Sequence, residues 1–165
     1  TGDGPLGPPG GAKVGITANV GDAFTEGGIF LHNDGPFDAH IESVRAVPAQ
    51  GATEAMPVVA VTLTTREPGR DAIGIVQGSG EELVPTADRH PAEGFVIHPD
   101  RAVGRDLGMA EILATYRVER DGTWHYRGYE VTYRSGLVRH RMLVPLTVEA
   151  CAPKRATPDC HEGPS

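Results

Sequence analysis

A chain of 165 residues with a net charge of −7 is long enough to bury a core of its own, and its acidity argues against general nucleic-acid binding. With 22 Gly, 14 Pro and only 5% aromatic residues, it must turn often and build its interior from Val, Ile, Leu and Ala. No apolar run approaches the ~18–20 residues that a membrane-crossing helix needs.

Taken in chain order, residues 1–12 (TGDGPLGPPGGA) are too poor in apolar side chains to order themselves. They read as a flexible linker, suited to space a membrane anchor or signal sequence in a precursor from a domain spanning 13–150. Lys13 to Val20 alternates weakly and makes a first strand, and Gly28 to His32 makes a second. Asn33-Asp34-Gly35-Pro36 is a turn, after which Phe37, Ala39 and Ile41 share one face of a third strand. Val44 breaks that parity and predicts a bulge near Glu42-Ser43. In Pro57 to Thr64, Val59, Val61 and Leu63 point in while Thr62 and Thr64 point out. Arg66 to Arg70 turns the chain, Ala72 to Val76 is a short strand, Glu81 to His90 is irregular, and Phe95-Val96-Ile97 is a short apolar run. A further strand begins near Ala110, and Asp121-Gly122 turns into Trp124.

Tyr126 to Glu149 reads as one long hairpin about a Ser135-Gly136 turn. Tyr133 then faces Val138, Val131 faces His140 and Tyr129 faces Met142, all inward, with Val144, Leu146 and Val148 continuing the apolar row. The outward row pairs Thr132 with Arg139 and Glu130 with Arg141, and places Pro145 at an edge or a bulge. Residues 101–141 hold eight Arg against five acids, which reads first as solvated strand faces and second as a mildly basic surface. Lys is nearly absent beside common Arg, Ala, Gly and Pro, a bias of high-GC bacterial genomes. Cys151 and Cys160, close together in a Pro-rich tail (151–165), read as a disulfide and hence an oxidising, extracytoplasmic compartment. A metal site using both thiols would have only His161 nearby to complete it.

Short strands with Gly/Pro punctuation and no amphipathic helix predict an antiparallel β-sandwich, with a small barrel as the alternative. Two stretches resemble the immunoglobulin-like or fibronectin-like domains of secreted and membrane-anchored actinobacterial proteins. They are Gly28-Ile29-Phe30-Leu31-His32-Asn33-Asp34-Gly35 followed by Ile41-Glu42-Ser43-Val44, and Tyr129 to Tyr133 followed by Leu143 to Val148. The resemblance implies an immunoglobulin-like β-sandwich of about seven to nine strands, serving as a spacer or interaction module without catalysis. It transfers no binding residues, and the Cys…Trp…Cys pattern of antibody domains is absent because both cysteines are placed past the last strand. A second likeness, over Gly28 to Val44 and the His140-Arg141-Met142 step, is to periplasmic copper chaperones of the cupredoxin-like kind. The His-Met pair those proteins carry upstream is missing, since neither Met56 nor Met109 follows a histidine.

Of seven histidines none forms an i, i+4 pair, and neither HExxH nor CxxC occurs. A metal reading would use His32 and His40, flanking one turn, with Asp34 or Asp38 for Zn²⁺ or Cu²⁺, or His140 with Met142 for Cu(I). Ordinary strand histidines and a packing methionine account for the same residues. Asp34, Asp38 and Glu42 offer oxygen to Ca²⁺ without the spacing of a known loop. Ser79 lies between glycines outside any GxSxG elbow, and His98-Pro99-Asp100 sets a base beside a carboxylate with no nucleophile tied to them. Trp124, Tyr126 and Tyr129 cluster near one end with Arg127, and Trp124, Tyr126 and Arg127 form the candidate binding patch, although Trp124 reads first as a cap on the core. The expectation is a non-enzymatic extracytoplasmic module without a cofactor, binding a protein or cell-envelope partner and no nucleic acid.

Overall fold

The computed structural model describes residues 4–7, 11–65, 71, 73–103, 108–154 and 160. The described elements are β1 (Leu6–Gly7), β2 (Ala12–Thr17), β3 (Ala23–Asn33), β4 (Ala39–Pro48), the one-turn helix α1 (Ala52–Ala55), β5 (Val58–Thr65), β6 (Gly74–Gln77), β7 (His90–Pro91), β8 (Val96–Ile97), the one-turn helix α2 (Asp100–Val103), β9 (Ala110–Arg117), β10 (Gly122–Ser135) and β11 (Val138–Ala152). They form two sheets. One runs β1-β3-β9-β5-β7 with β6 also on β3, and the other runs β2-β11-β10-β4-β8. The chain is thus all-β, as expected. Two-residue strands such as β1, β7 and β8 take the number above the nine expected. The pairing is not antiparallel throughout. β2 runs parallel to β11, from Leu146↔Ala12 to Cys151↔Thr17. These strands lie at opposite ends of the chain, so no hairpin dictates their relative direction.

The core lies between the sheets. Ile29, Leu31, Ile112 and Tyr116 meet Tyr129, Val131, Val144 and Val148, all essentially without exposure. Each such aliphatic side chain contributes on the order of 1.5–3 kcal/mol when fully buried.

β10 and β11 form the expected hairpin in a different register. Ser135 pairs with Val138, Tyr133 with His140 and Val131 with Met142, so the turn is Gly136-Leu137. Gly136 takes φ 59° at the first central position, as a type II′ turn requires. The slip equals two residues and therefore keeps every side chain on its expected face. Val131, Tyr133, Met142, Val144, Leu146 and Val148 are buried, and only Val138, beside the tip, is left exposed. The bulge anticipated from the parity of Val44 is present, and of the edge or bulge expected at Pro145 the bulge is found. Thr132 pairs with Ser43 and Tyr133 with Ile41, which leaves Glu42 as the extra residue. Register also shifts between Tyr126 and Gly128, where Gly128 meets Pro145.

Other expectations fail locally. Phe37 is 60% exposed because β4 begins only at Ala39, so Phe37 lies in the crossover between sheets. Val61 and Leu63 face the core as expected, but Val59, beside a register shift between Val58 and Ala60, is exposed, and Thr64 is buried although it was expected to point out. The N-terminal stretch is not simply a linker. Leu6 is buried and pairs with Asn33, its N–H donates to the Tyr133 hydroxyl at 3.2 Å, and Ala12 opens β2. Residues 1–3 and 8–10, the expected turn at 66–70 and His161 lie outside the described residues.

Cys151 and Cys160 are joined in a disulfide with Cα atoms 5.6 Å apart. Cys151 does not lie past the last strand. It sits inside β11, opposite Thr123 on β10 and Thr17 on β2, because β11 runs on to Ala152. The bridge therefore anchors Cys160 to a three-strand ladder.

At the Gly128 bulge φ is 138°, and an added Cβ would sit 2.1 Å from the Val144 carbonyl oxygen. Gly128→Ala is expected to lose at least about 1–3 kcal/mol from backbone strain alone. Urea unfolding checks this, and an unchanged midpoint would contradict the bulge geometry.

Candidate functional site

A dense polar corner is built where β3 leaves its sheet. Asn33, fully buried, donates from Nδ2 to the carbonyls of Phe37 and Ile97, each at 2.9 Å, and its Oδ1 accepts the Gly35 N–H at 3.0 Å. It thereby ties the end of β3 to β8 in the opposite sheet. A buried amide with these contacts makes the crossover geometry specific. Three residues after Ile97, Asp100 opens α2, and its Oδ1 accepts the Asn33 N–H at 3.4 Å. Its Oδ2 stands 3.3 Å from His32 Nδ1, and Asp34 Oδ1 stands 3.4 Å from the same nitrogen. One ligand atom from each of these three residues lies within 4.8 Å of the others. His32 Nδ1 is shielded from solvent and has no hydrogen-bond partner. Gly7 lies against the ring, since a Cβ there would come within 2.6 Å of Nε2.

The remaining sequence-derived candidates are dispersed. His32 and His40 do not form a pair across one turn, because β3 and β4 belong to different sheets. His40 is exposed and pairs with Val96 and Arg134. The suggested calcium carboxylates each turn to different basic partners. Asp34 faces His32, Asp38 takes His98 Nδ1 at 2.9 Å, and Glu42 takes Arg139 Nε at 2.6 Å and Arg134 at 3.6 Å. His98 and Asp100 consequently turn to different partners rather than to each other. Met142 is 3% exposed within the core, and His140 stacks on Tyr133 with ring centroids 5.0 Å apart, so packing occupies both.

The aromatic end is not an open patch. Tyr126 is buried, its hydroxyl donating to the Met56 carbonyl at 2.9 Å. The half-buried Trp124 ring rests on Gly51 and Gly122, and its Nε1 donates to the Arg120 carbonyl at 3.1 Å. Arg127 alone of the three is exposed, at the bulge.

A groove of about 450 Å³ lies on the outer face of β4, β10 and β11, lined by Ser43, Arg45, Glu130, Thr132, Arg139 and Arg141 among others. Thr132 sits between Ser43 and Arg141 in register, which gives the groove a hydroxyl floor beneath guanidinium groups. Arg141 pairs with Glu130, whereas Arg45 has no ion pair among the described residues.

Two buried carboxylates escaped the sequence reading. Glu26 and Glu111 are both fully buried, on β3 and β9. Tyr129 donates to Glu26 Oε2 at 2.5 Å across the sheets, and the Tyr116 hydroxyl lies 2.9 Å from that of Tyr129. Glu111 Oε1 accepts the Ile73 N–H at 3.1 Å. Burial, outweighing the Tyr129 hydrogen bond and reinforced by Glu111, pushes the Glu26 carboxyl up to about 8. The available signal was parity: Glu26 lies two residues from the core residue Phe24, but β3 was expected to begin only at Gly28.

No protein-family profile matches the chain, and no curated protein matches it. Among solved structures it is similar to part of a family 123 glycoside hydrolase from Clostridium perfringens, at 8% identity and a TM-score of 0.45 over 84% of this chain and 22% of that one. It is also similar to part of the secreted serine protease VesC from Vibrio cholerae, at 10% identity and a TM-score of 0.36 over 87% of this chain and 23% of that one. The chain thus spans less than a quarter of either structure.

The buried Glu26 makes stability depend on pH. With a folded value near 8 against 4.5 in a free chain, the unfolded state loses this proton first as pH rises. Stability from this group is full below about pH 4.5, falls by up to about 1.4 kcal/mol per pH unit between the two values, and levels off above 8. Glu26→Gln is expected to flatten that fall and to be the more stable variant at pH 8.5. Urea melts of both proteins from pH 5 to 8.5 read this directly, and parallel profiles would exclude Glu26 as the cause.

Proposed function

We propose that this chain is an extracytoplasmic, non-enzymatic module of immunoglobulin-like type, working as an accessory or interaction domain. The observation that supports this most is the Cys151–Cys160 disulfide, which takes up both cysteines of the chain and ties Cys160 to Cys151 within β11. Disulfides persist in oxidising compartments and are rare in reducing ones. Among the described residues no helix is long and apolar enough to cross a membrane.

The surface we assign to partner binding is the outer groove of β4, β10 and β11, in place of the Trp124 end. Arg45, Arg139 and Arg141 surround the hydroxyls of Ser43 and Thr132, with Glu130 as the opposing carboxylate. Guanidinium groups over hydroxyl donors fit carboxylate or phosphate groups, as carried by an acidic cell-envelope partner.

Two measurements test the proposal. Alkylation of protein from its native envelope, without reductant, is expected to label neither cysteine; two reactive thiols would overturn the compartment. Co-sedimentation with the envelope fraction is expected to fall with added salt and to drop severalfold in the double variant Arg45→Ala/Arg141→Ala. Binding indifferent to both would remove the groove from the proposal.

A further inference from the structure

We propose that His32, Asp34 and Asp100 form a divalent-cation site of the zinc type that clamps the sheet crossover to α2. The distances carry the argument. Tetrahedral ligands about 2.0–2.1 Å from Zn²⁺ stand about 3.3–3.4 Å from one another. Nδ1 of His32 lies 3.3 Å from Asp100 Oδ2 and 3.4 Å from Asp34 Oδ1, and the three atoms fall within 4.8 Å. The ion therefore fits among the side chains without displacing any of them far.

The donor set selects the metal. An imidazole nitrogen is a poor ligand for Ca²⁺ or Mg²⁺, which take oxygen, and no thiolate or thioether is present to favour Cu(I). One neutral imidazole with two carboxylates suits Zn²⁺ and leaves the complex uncharged. The surroundings hold the ligands in place, as the outer shell of a metal site does. Asn33 donates its N–H to the second oxygen of Asp100, the Asp34 N–H donates to the Pro5 carbonyl at 3.1 Å, and Gly7 leaves just the space the His32 ring fills. Asp34 is 64% exposed, so ion and water reach the cluster from its side. Three protein ligands leave a fourth position for that water or for a group from a partner.

This set keeps His32 and Asp34 from the metal reading of the sequence and puts Asp100 in the place of His40, and it stands whether or not the arginine groove binds an anion. The competing arrangement is an imidazolium bridging two carboxylates, which needs no metal. Competition between the full chain and a chromophoric chelator for Zn²⁺ at pH 7.5 separates them. One ion per chain with micromolar or tighter affinity is expected, with a higher melting midpoint in its presence. His32→Gln and the exposed Asp34→Asn are expected to weaken binding at least about 10-fold. His98→Gln, outside the cluster, is expected to bind as the unaltered chain does. Absence of stoichiometric binding, or unaltered affinity in folded Asp34→Asn and His32→Gln, overturns the site.

Discussion

The two sheets are joined by tyrosine. The chain has four tyrosines, Tyr116, Tyr126, Tyr129 and Tyr133, and none is more than 2% exposed. Each also ends on a polar partner. Tyr116 meets Tyr129, Tyr129 donates to Glu26, Tyr126 donates to the Met56 carbonyl, and Tyr133 accepts the Leu6 N–H. Packed sheets lie about 10 Å apart, a distance that only a long side chain crosses. A chain with 5% aromatic residues places them where length and a hydroxyl are both used. The net worth of each hydrogen bond is modest, about 0.5–1.5 kcal/mol, but the Glu26 carboxyl or the Leu6 N–H left alone in the interior would cost more. The Tyr–Glu chain therefore fixes how β10 sits over β3 more than it adds stability.

Alternation made the faces of β10 and β11 legible, and it did so despite an error in register. Side-chain direction has period two, so moving the turn from Ser135-Gly136 to Gly136-Leu137 changes every partner and no face. The turn itself was readable from dihedral preference. A turn centred on Ser135-Gly136 with a type I′ shape needs positive φ at serine, whereas one centred on Gly136-Leu137 with a type II′ shape asks it of glycine alone. The Glu42 bulge was legible because Ile41 and Val44 cannot otherwise share the core. β5 had no such conflict to expose its shift at Val59, so Val59 was placed inward with Val61 and Leu63 although it alone of the three is exposed.

Long-range placement was not legible. A Gly/Pro-rich stretch averages to a linker, yet one leucine in it, Leu6, finds the edge of β3 and is buried there. His32 and Asp34 are near in sequence, but Asp100 reaches them only because β8 crosses to Ala39 and delivers α2 to the Asn33 corner. On the outer face charge pairs follow reach rather than register. Arg141 stands opposite Thr132 yet pairs with Glu130, the pairing expected from the sequence for a different reason. Long solvated side chains tolerate a shifted ladder, and buried tyrosines do not.

β3 carries the consequences of both kinds of order. Through its eleven residues it pairs with β1, β6 and β9, so any fraying at its ends would loosen three ladders. At its start the chain is held by the Gly21 and Val118 N–H groups donating to Val118 and Asp22 carbonyls, next to the Ala18 N–H on the Cys151 carbonyl and so beside the disulfide. At its end there is no covalent tie, and the buried Asn33 with His32, Asp34 and Asp100 takes that place. Apolar burial cannot close such an end, because the backbone groups released where β3 leaves its sheet need polar partners. Concentrating an amide, an imidazole and two carboxylates there follows from that need, and the same concentration is what makes this corner fit a cation.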